Sequence, residues 1–156
     1  MRIVNRTEGR VAGIDLGTVR IGIAVSDARR SIASPYENYT RGDSQADSQR
    51  FQRLVREEDI TLFVIGLPIH LSGSESKKST EARRFGEWLL ETTGIPVRYH
   101  DERMTSAQAE TLLQSAELTS KKRKKRKDML AAQLILSSFL ESNQDATYDP
   151  GPLEDH

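Results

Sequence analysis

Short apolar blocks separated by polar turns predict three consecutive strands in the N-terminal part of the chain. Residues 10–15 (RVAGID) and 20–26 (RIGIAVS) are largely apolar, and Gly17-Thr18-Val19 forms a tight connection between them. Two strands joined by so short a connection are typical of an antiparallel hairpin. Residues 31–40 predict a third strand, in which Pro35 indicates an edge position or a bulge because proline cannot donate to the ladder.

The hydrophobic pattern then changes, and helices alternate with single strands. Residues 61–66 (TLFVIG) are almost wholly apolar, as in a central strand that is covered on both faces. Asp43 or Ser44 can cap the first helix, Gly94 can end the second, and Thr105 with Gln108 forms a capping box for the third. The predicted elements are a helix over residues 43–58, a strand over 61–66, a helix over 78–93, a strand over 96–101, and helices over 105–117 and 128–142.

This order, β-β-β-α-β-α-β-α-α, predicts an α/β fold with a mixed sheet and helices packed on it. The chain has 156 residues, which suits a single domain, here placed at residues 1–142 with a polar lead over 1–9. Residues 143–156 predict a disordered acidic tail. Trp88 lies on the apolar stripe of the second helix, so we expect it to be part of the core and not a platform for base stacking.

Composition narrows the setting and the available chemistry. There are no cysteines and three scattered histidines, which excludes disulfides and thiolate zinc sites. The N-terminus has no apolar segment of the kind a signal peptide needs, and the longest apolar run, residues 62–69, is far too short to span a bilayer. We therefore expect a cytoplasmic protein that does not bind membranes.

The charge is balanced overall but strongly patterned. The chain has 23 basic and 23 acidic residues, yet residues 121–127 (KKRKKRK) form one uninterrupted basic block. Such a block attracts a polyanion even when the net charge is zero, and phosphate contacts from it would position a nucleic-acid backbone. The alternative is an ordinary solvated loop.

Carboxylates follow the predicted strands at one edge of the sheet. Asp15 ends the first strand, Asp101 and Glu102 end the fifth, and Asp128 opens the last helix on its inward stripe. If the first and fifth strands are parallel, Asp15 and Glu102 enter the same crevice. Three acids without histidine or thiolate suit Mg²⁺ or Mn²⁺, and a pair of such ions can cleave a phosphodiester.

Each of these residues also has a purely structural interpretation. Asp128 could serve only as the N-cap of the helix that it opens. Glu102 could be a surface acid paired with Arg103. Asp15 is the hardest of the three to explain structurally, because a strand end flanked by glycines does not need an aspartate.

Four segments in order resemble one known family: GIDLGTVRIGIAVSD, VIGLPIHLSG, YHDERMTSAQAE and KKRKKRKDMLAAQLIL. They are similar to the RuvX (YqgF) family of pre-16S rRNA nucleases, which belongs to the RNase H-like superfamily with the resolvase RuvC. The resemblance covers about residues 11–140. It implies an RNase H-like five-stranded mixed sheet of order 3-2-1-4-5 with helices on both faces. It also implies a metal-dependent hydrolase that trims the 5′ end of the small-subunit rRNA precursor.

The resemblance assigns roles to individual residues. Asp15, Glu102 and Asp128 become the catalytic residues and the ligands of Mg²⁺ or Mn²⁺. From their charge and position, and not from the resemblance, we assign the nucleic-acid contacts to the following basic residues: Arg20, Arg103, Lys121, Lys122, Arg123, Lys124, Lys125, Arg126 and Lys127. Two positions depart from the family pattern: His70 stands where the family usually has asparagine, and Ser72 stands where it often has an acid or an amide. The resolvase relatives place a glutamate at the end of strand four, whereas Gly66-Leu67-Pro68 carries no carboxylate.

Three other functions compete with RNA processing. A resolvase of DNA junctions would need the same metal chemistry and would favour a two-fold dimer, whereas a nuclease for RNA could be a monomer or a weak homodimer. Nucleotide binding of the actin-like type would need a second domain. A non-catalytic RNA-binding factor in transcription or ribosome assembly would use the basic block but gain nothing from three carboxylates.

Overall fold

The computed structural model describes residues 9–68, 77–102 and 120–144, with the backbone alone for 120–128 and 143–144. Five strands and three helices lie within these ranges. In chain order they are β1 (Arg10–Leu16), β2 (Arg20–Ser26), β3 (Ala33–Thr40), α1 (Ser44–Glu58), β4 (Ile60–Leu67), α2 (Lys77–Thr93), β5 (Val97–Asp101) and α3 (Ser120–Gln144).

The strands form one mixed sheet in the order β3-β2-β1-β4-β5. β1 pairs antiparallel with β2 and parallel with β4, and β4 pairs parallel with β5. The predicted strand order is therefore confirmed, and β1 and β5 are parallel, which is the condition for Asp15 and Glu102 to enter the same crevice. Because these two strands and β4 run the same way, their carboxyl ends lie at one edge of the sheet.

Proline acts in β3 as the sequence predicts. β3 is an edge strand, and its pairing with β2 shifts register where Ile23 faces Glu37 and Ala24 faces Pro35, which leaves Tyr36 as the extra residue. A bulge at an edge strand accommodates a residue without an N–H donor.

Two helix caps also follow the prediction. The Asp43 side chain accepts a hydrogen bond of 2.8 Å from the backbone N–H of Ala46 at the start of α1. Gly94, with a φ of 74°, donates its N–H to the carbonyl of Leu90 and ends α2. A left-handed residue after a helix is usually glycine because no Cβ opposes that conformation.

The helices cover both faces of the sheet, as predicted. On one face, α1 and α2 pack through an aromatic cluster in which the Phe51 ring lies 6.2 Å edge-to-face from Phe63 and 5.7 Å from Phe85. On the other face, α3 packs against Val11 and Val64 through residues that are aliphatic except for Phe139. The aromatic cluster therefore lies on the face that α1 and α2 cover.

α3 lies close to the sheet because glycine stands beneath it. A Cβ placed on Gly13 would lie 2.7 Å from Cβ of Leu136 and 3.0 Å from the carbonyl oxygen of Ala132. No side chain fits in that space, so glycine at position 13 of β1 sets the separation between helix and sheet.

The start of the last helix differs from the prediction. α3 begins at Ser120 rather than near Asp128, so the basic block forms its first turns. Lysine and arginine are good helix formers, so the run of basic residues continues the helix although their charges repel one another. Asp128 therefore lies inside the helix, and its interpretation as an N-cap is wrong.

Three other predictions fall wholly or partly on residues that the structure does not describe. The helix predicted over residues 105–117 and the loop with His70 lie outside the described residues. α3 runs to Gln144, two positions into the expected tail, and the rest of that tail also lies outside them. Within the described ranges, no helix is long and apolar enough to cross a membrane.

Candidate active site

Asp15 lies near the end of β1, on the side of the sheet that α3 covers. Side chains alternate along a strand, and Val11 and the Cα of Gly13 face α3. Asp15, two positions beyond Gly13, therefore belongs to the same face, and it is half-buried. The strand continues for one residue beyond Asp15, to Leu16.

Glu102, which follows β5, approaches the end of β1 across β4, where Gly66 has no side chain. It directly follows Asp101, the last residue of β5. A Cβ on Gly66 of β4 would lie 2.8 Å from Oε1 of Glu102. The carboxylate of Glu102 thus fills the space above Gly66, where any other residue would place its side chain. The absence of a side chain on Gly66 thus leaves the space that the carboxylate of Glu102 occupies.

The two carboxylates interact electrostatically. Burial raises the pKa of the Glu102 carboxyl, and the nearby charges of Asp15 and Asp101 raise it further. The ammonium group of Lys78, near the start of α2, acts in the opposite direction and lowers it. A half-buried carboxyl beside two like charges is unfavourable in its ionised form unless a cation joins it.

Both carboxylates line one cleft of about 770 Å³. The cleft extends from them along the β1–β2 connection and α2. Its other charged lining residues are Arg41, Asp47, Lys78, Glu81 and Arg84. The basic residues among them could place a phosphate group beside a cation bound to Asp15 and Glu102.

The remaining predicted site residues are placed less completely. Arg20 is exposed at the start of β2, and its carbonyl accepts the N–H of Gly17 at 2.9 Å. Asp128 lies one helical turn before Ala132, the residue whose carbonyl approaches Gly13. Arg103 lies outside the described residues. Lys121 to Lys127 form the first turns of α3, where only the backbone is described.

Sequence reasoning missed two contributors to this region. Lys78 was expected only as the start of a helix, yet it acts on the pKa of Glu102. His100 on β5 is buried, and its Nε2 lies 2.9 Å from Oγ of Ser138 on α3, which ties the strand before Glu102 to the helix that carries Asp128. Burial lowers the pKa of this histidine and favours its neutral form. The available signal in the sequence was the spacing of His100 and Glu102, because residues two positions apart on an extended chain lie on the same face.

The described residues partly meet the needs of a divalent cation. Asp15 and Glu102 offer only oxygen donors, and a cation would relieve their repulsion. No group of three metal-ligating side chains occurs among the residues whose side chains are described. A third carboxylate would have to come from Asp128, whose side chain is not among them.

A family model described as "RuvX: Holliday junction resolvase" matches residues 9–142. The chain belongs to the RuvX family. A relative from Rhodopirellula baltica named "Putative pre-16S rRNA nuclease" is 47% identical over 134 residues, covering 86% of this chain and 78% of the relative. A relative of the same name from Koribacter versatilis is 37% identical over 141 residues, covering 90% and 92%.

Solved structures resemble this RuvX protein in fold. The "T. thermophilus RuvC in complex with Holliday junction substrate" has a TM-score of 0.56 at 15% identity, over 86% of this chain and 96% of that one. A fowlpox virus resolvase in complex with Holliday junction DNA has a TM-score of 0.53 at 12% identity, over 85% and 97%. At these identities the likeness confirms the RNase H-like architecture of resolvases.

Proposed function

We propose that this RuvX protein is a metal-dependent nuclease that hydrolyses phosphodiester bonds of structured RNA, and that it processes the 5′ end of pre-16S rRNA. The observation that carries the proposal is the convergence of Asp15 and Glu102 from parallel strands into one cleft. The names of relatives that are up to 47% identical support the choice of rRNA precursor as substrate.

Asp15, Glu102 and Asp128 would hold Mg²⁺ or Mn²⁺. A divalent cation bound there would supply an activated water and stabilise the departing oxygen of the phosphodiester. Asp128 is proposed as the third ligand because it lies on α3, four residues before Ala132, whose carbonyl approaches Gly13 on the face of β1 that carries Asp15.

The basic residues have a different task from the carboxylates. Lys78, already close enough to act on Glu102, would contact a phosphate oxygen at the site itself. Arg20, Arg103 and the basic turns at residues 121–127 would hold the flanking backbone. Such contacts position the substrate without reading its sequence, and they weaken as salt concentration rises.

A second candidate function is the resolution of DNA junctions. It is favoured by the description of the family model that matches residues 9–142. The carboxylate chemistry would be the same for both substrates. A junction has two symmetric strands to cut, so this function favours a two-fold dimer.

The test is cleavage of an end-labelled rRNA precursor fragment that carries its 5′ extension. Wild-type protein and the Asp15→Asn variant are compared in Mg²⁺, in Mn²⁺ and in chelator. Asp59→Asn is the matched control, because Asp59 adopts a left-handed conformation (φ of 50°) that asparagine tolerates equally well. We expect cation-dependent cleavage by the wild type and the control, and none by Asp15→Asn.

Other outcomes would change the assignment. Equal cleavage by all three proteins would show a contaminating nuclease. Cleavage of a four-way DNA junction but not of the RNA would favour the second candidate. RNA binding that tightens in Asp15→Asn, without cleavage by any protein, would identify a non-catalytic RNA-binding factor.

A further inference from the structure

The cleft extends well beyond the carboxylate pair. Its volume of about 770 Å³ falls within the usual range for ligand sites, and Asp15 and Glu102 lie at one end of it. The long wall is one face of α2, which presents Lys78, Phe85 and Trp88. The proposed cleavage gives a role to Lys78 but leaves Phe85 and Trp88 without one.

Trp88 is held in a fixed orientation at the cleft. Its ring lies 5.3 Å from that of Phe85, tilted by 35°, and 6.2 Å from that of Phe51, nearly perpendicular. The side chain is half-buried, so part of the ring contacts the core and part borders the cleft. An indole fixed in this way can pack against a planar ligand with little loss of side-chain entropy.

Basic side chains accompany the aromatic ones. Lys78 and Arg84 are exposed residues of α2 that line the cleft. Across from them the guanidinium of Arg41 lies 5.9 Å from the centre of the Phe85 ring, and it donates a hydrogen bond of 2.9 Å to the carbonyl of Gly17. A groove that combines fixed aromatic rings with cations is the usual design for binding single-stranded nucleic acid.

We propose that this cleft binds an unpaired segment of the nucleic-acid substrate, with one base stacked on Trp88 and adjacent phosphates on Lys78, Arg84 and Arg41. The inference rests on the proposed nuclease function and adds a requirement for unpaired nucleotides beside the scissile bond. A paired base has both its faces covered within the helix, whereas an unpaired base can turn out and stack on a side chain.

The charges support an occupant that is itself a polyanion. Of the four acids that line the cleft, Asp15 and Glu102 lie where a cation would bind, and Asp47 accepts hydrogen bonds from the hydroxyl of Tyr39 and the N–H of Gly42. The wall of α2 is left with two cations flanking Glu81. An extended strand of RNA could run along these cations from the stacked base to the carboxylates.

Trp88 is the single tryptophan of the chain, so its fluorescence reports on the cleft directly. The Asp15→Asn variant is titrated with a single-stranded RNA of about ten nucleotides, a length within the site sizes of single-strand binders. We expect saturable quenching of the tryptophan fluorescence at the concentrations where fluorescence anisotropy of a labelled RNA shows binding. An RNA duplex of the same length should leave the tryptophan signal unchanged.

Substitutions then separate stacking from charge. Trp88→Leu retains an apolar side chain for the core and should bind the oligonucleotide about tenfold more weakly. The double variant Lys78→Gln/Arg84→Gln should make the slope of log K against log salt shallower by about 1.4, because each phosphate of a single strand that the protein neutralises adds about 0.7 to that slope. The matched control is Arg53→Gln/Arg56→Gln, which removes two exposed arginines of α1 outside the cleft.

The proposal is overturned if RNA binds while the tryptophan signal stays constant, or if the cleft and control variants bind alike. A melting temperature close to that of the parent protein shows that each variant is folded. The two proposals fail separately. Quenching without any cleavage by the wild type would refute the nuclease alone, and cleavage by the wild type without quenching would refute the cleft alone.

Discussion

Glu102 and Asp27 each follow a strand of the same sheet, at opposite ends of it, and their carboxylates lie in opposite environments. Asp27 follows β2 beside the start of β1, where Oγ of Ser26 accepts the N–H of Val11. Its oxygens accept the backbone N–H groups of Ser31 and Ile32 at 2.7 and 2.9 Å, and also the Ser31 hydroxyl. Hydrogen bonds from Ser31 and Ile32 lower the pKa of Asp27 to about 2.

At the other end, burial and neighbouring carboxylates raise the pKa of Glu102. The difference separates a carboxylate that stabilises the fold from one that the fold tolerates. Donors within the protein satisfy Asp27, so it needs no ligand. Asp15 and Glu102 are instead crowded together, and crowding of this kind usually marks a functional site.

Gly66→Ala should have the largest effect on the end of the sheet where Asp15 and Glu102 lie. The new Cβ would lie 2.5 Å from Cδ1 of Ile135 and 2.8 Å from Oε1 of Glu102, both at the far ends of side chains that can rotate away. We expect the fold to survive and cleavage to fall about a hundredfold, because displacing a reacting group by about 1 Å has effects of that size. Steady-state cleavage rates and melting temperature measure the two effects separately.

The double variant Gly66→Ala/Ile135→Val is the control for helix displacement. It removes the methyl group that the alanine would strike and leaves the contact with Glu102. Stability should recover towards wild type while cleavage stays low. Recovery of cleavage in the double variant would show that packing of α3, and not the carboxylate, limits the reaction.

Substitutions of buried residues usually lower stability, but neutralising Asp15 in the Asp15–Glu102 pair should not. In buffer without divalent cations, Asp15→Asn should melt at the same temperature as the wild type or higher, since repulsion with Glu102 is removed. Saturating Mn²⁺ should stabilise the wild type by about 2.7 kcal/mol at a hundredfold excess over its Kd. The variant should gain little.

Differential scanning fluorimetry over a series of Mn²⁺ concentrations provides the measurement, with Asp59→Asn as the control that should respond like the wild type. Equal stabilisation of Asp15→Asn by Mn²⁺ would place the cation elsewhere in the chain. A clear loss of stability in the variant without Mn²⁺ would give Asp15 a structural role like that of Asp27.

Gly13→Ala tests the close packing of α3 on β1 without touching Glu102. The added Cβ would meet Cβ of Leu136 at 2.7 Å and the carbonyl oxygen of Ala132 at 3.0 Å, and neither atom can rotate away. Overpacking of this kind costs about 1–3 kcal/mol, which chemical denaturation measures. Unchanged stability would show that α3 adjusts freely and that glycine is not what sets its distance.

The sequence predicts the architecture well because the sheet depends on local signals. Alternating and continuous apolar runs located all five strands, and Pro35 correctly indicated an edge with a bulge. The start of α3 was predicted eight residues too late, because the basic block was interpreted as a segment that precedes the helix, although lysine and arginine are good helix formers. Propensity therefore outweighs charge repulsion along these turns.

The site was only partly accessible to the same reasoning. Parallel strands explain why Asp15 and Glu102 share a cleft, and this follows from the element order. The contributions of Gly66, Lys78 and Trp88 depend on distances between elements far apart in sequence, which no periodicity encodes. Gly66 in particular reads as a missing carboxylate in sequence, whereas in the structure it is the space that Glu102 occupies.

The smallest effect on stability is expected at Asp27, whose carboxylate accepts hydrogen bonds from Ser31 and Ile32. The folded-state pKa of Asp27 is about 2, below the ordinary value of 3.8, so its stabilising contribution is complete above that ordinary value and is lost as the pH falls through about 2. Ser31→Ala removes the side-chain donor that lowers the pKa most, and it should reduce the loss of stability between about pH 4 and pH 2. Asp27→Asn should flatten the same range further and lower stability at pH 7, whereas Asp15→Asn should not.

Chemical denaturation at a series of pH values measures these changes. An acid profile that is identical in wild type and Asp27→Asn would mean that these hydrogen bonds persist in the unfolded chain, or contribute nothing, and the contrast between the two ends would then rest on Glu102 alone.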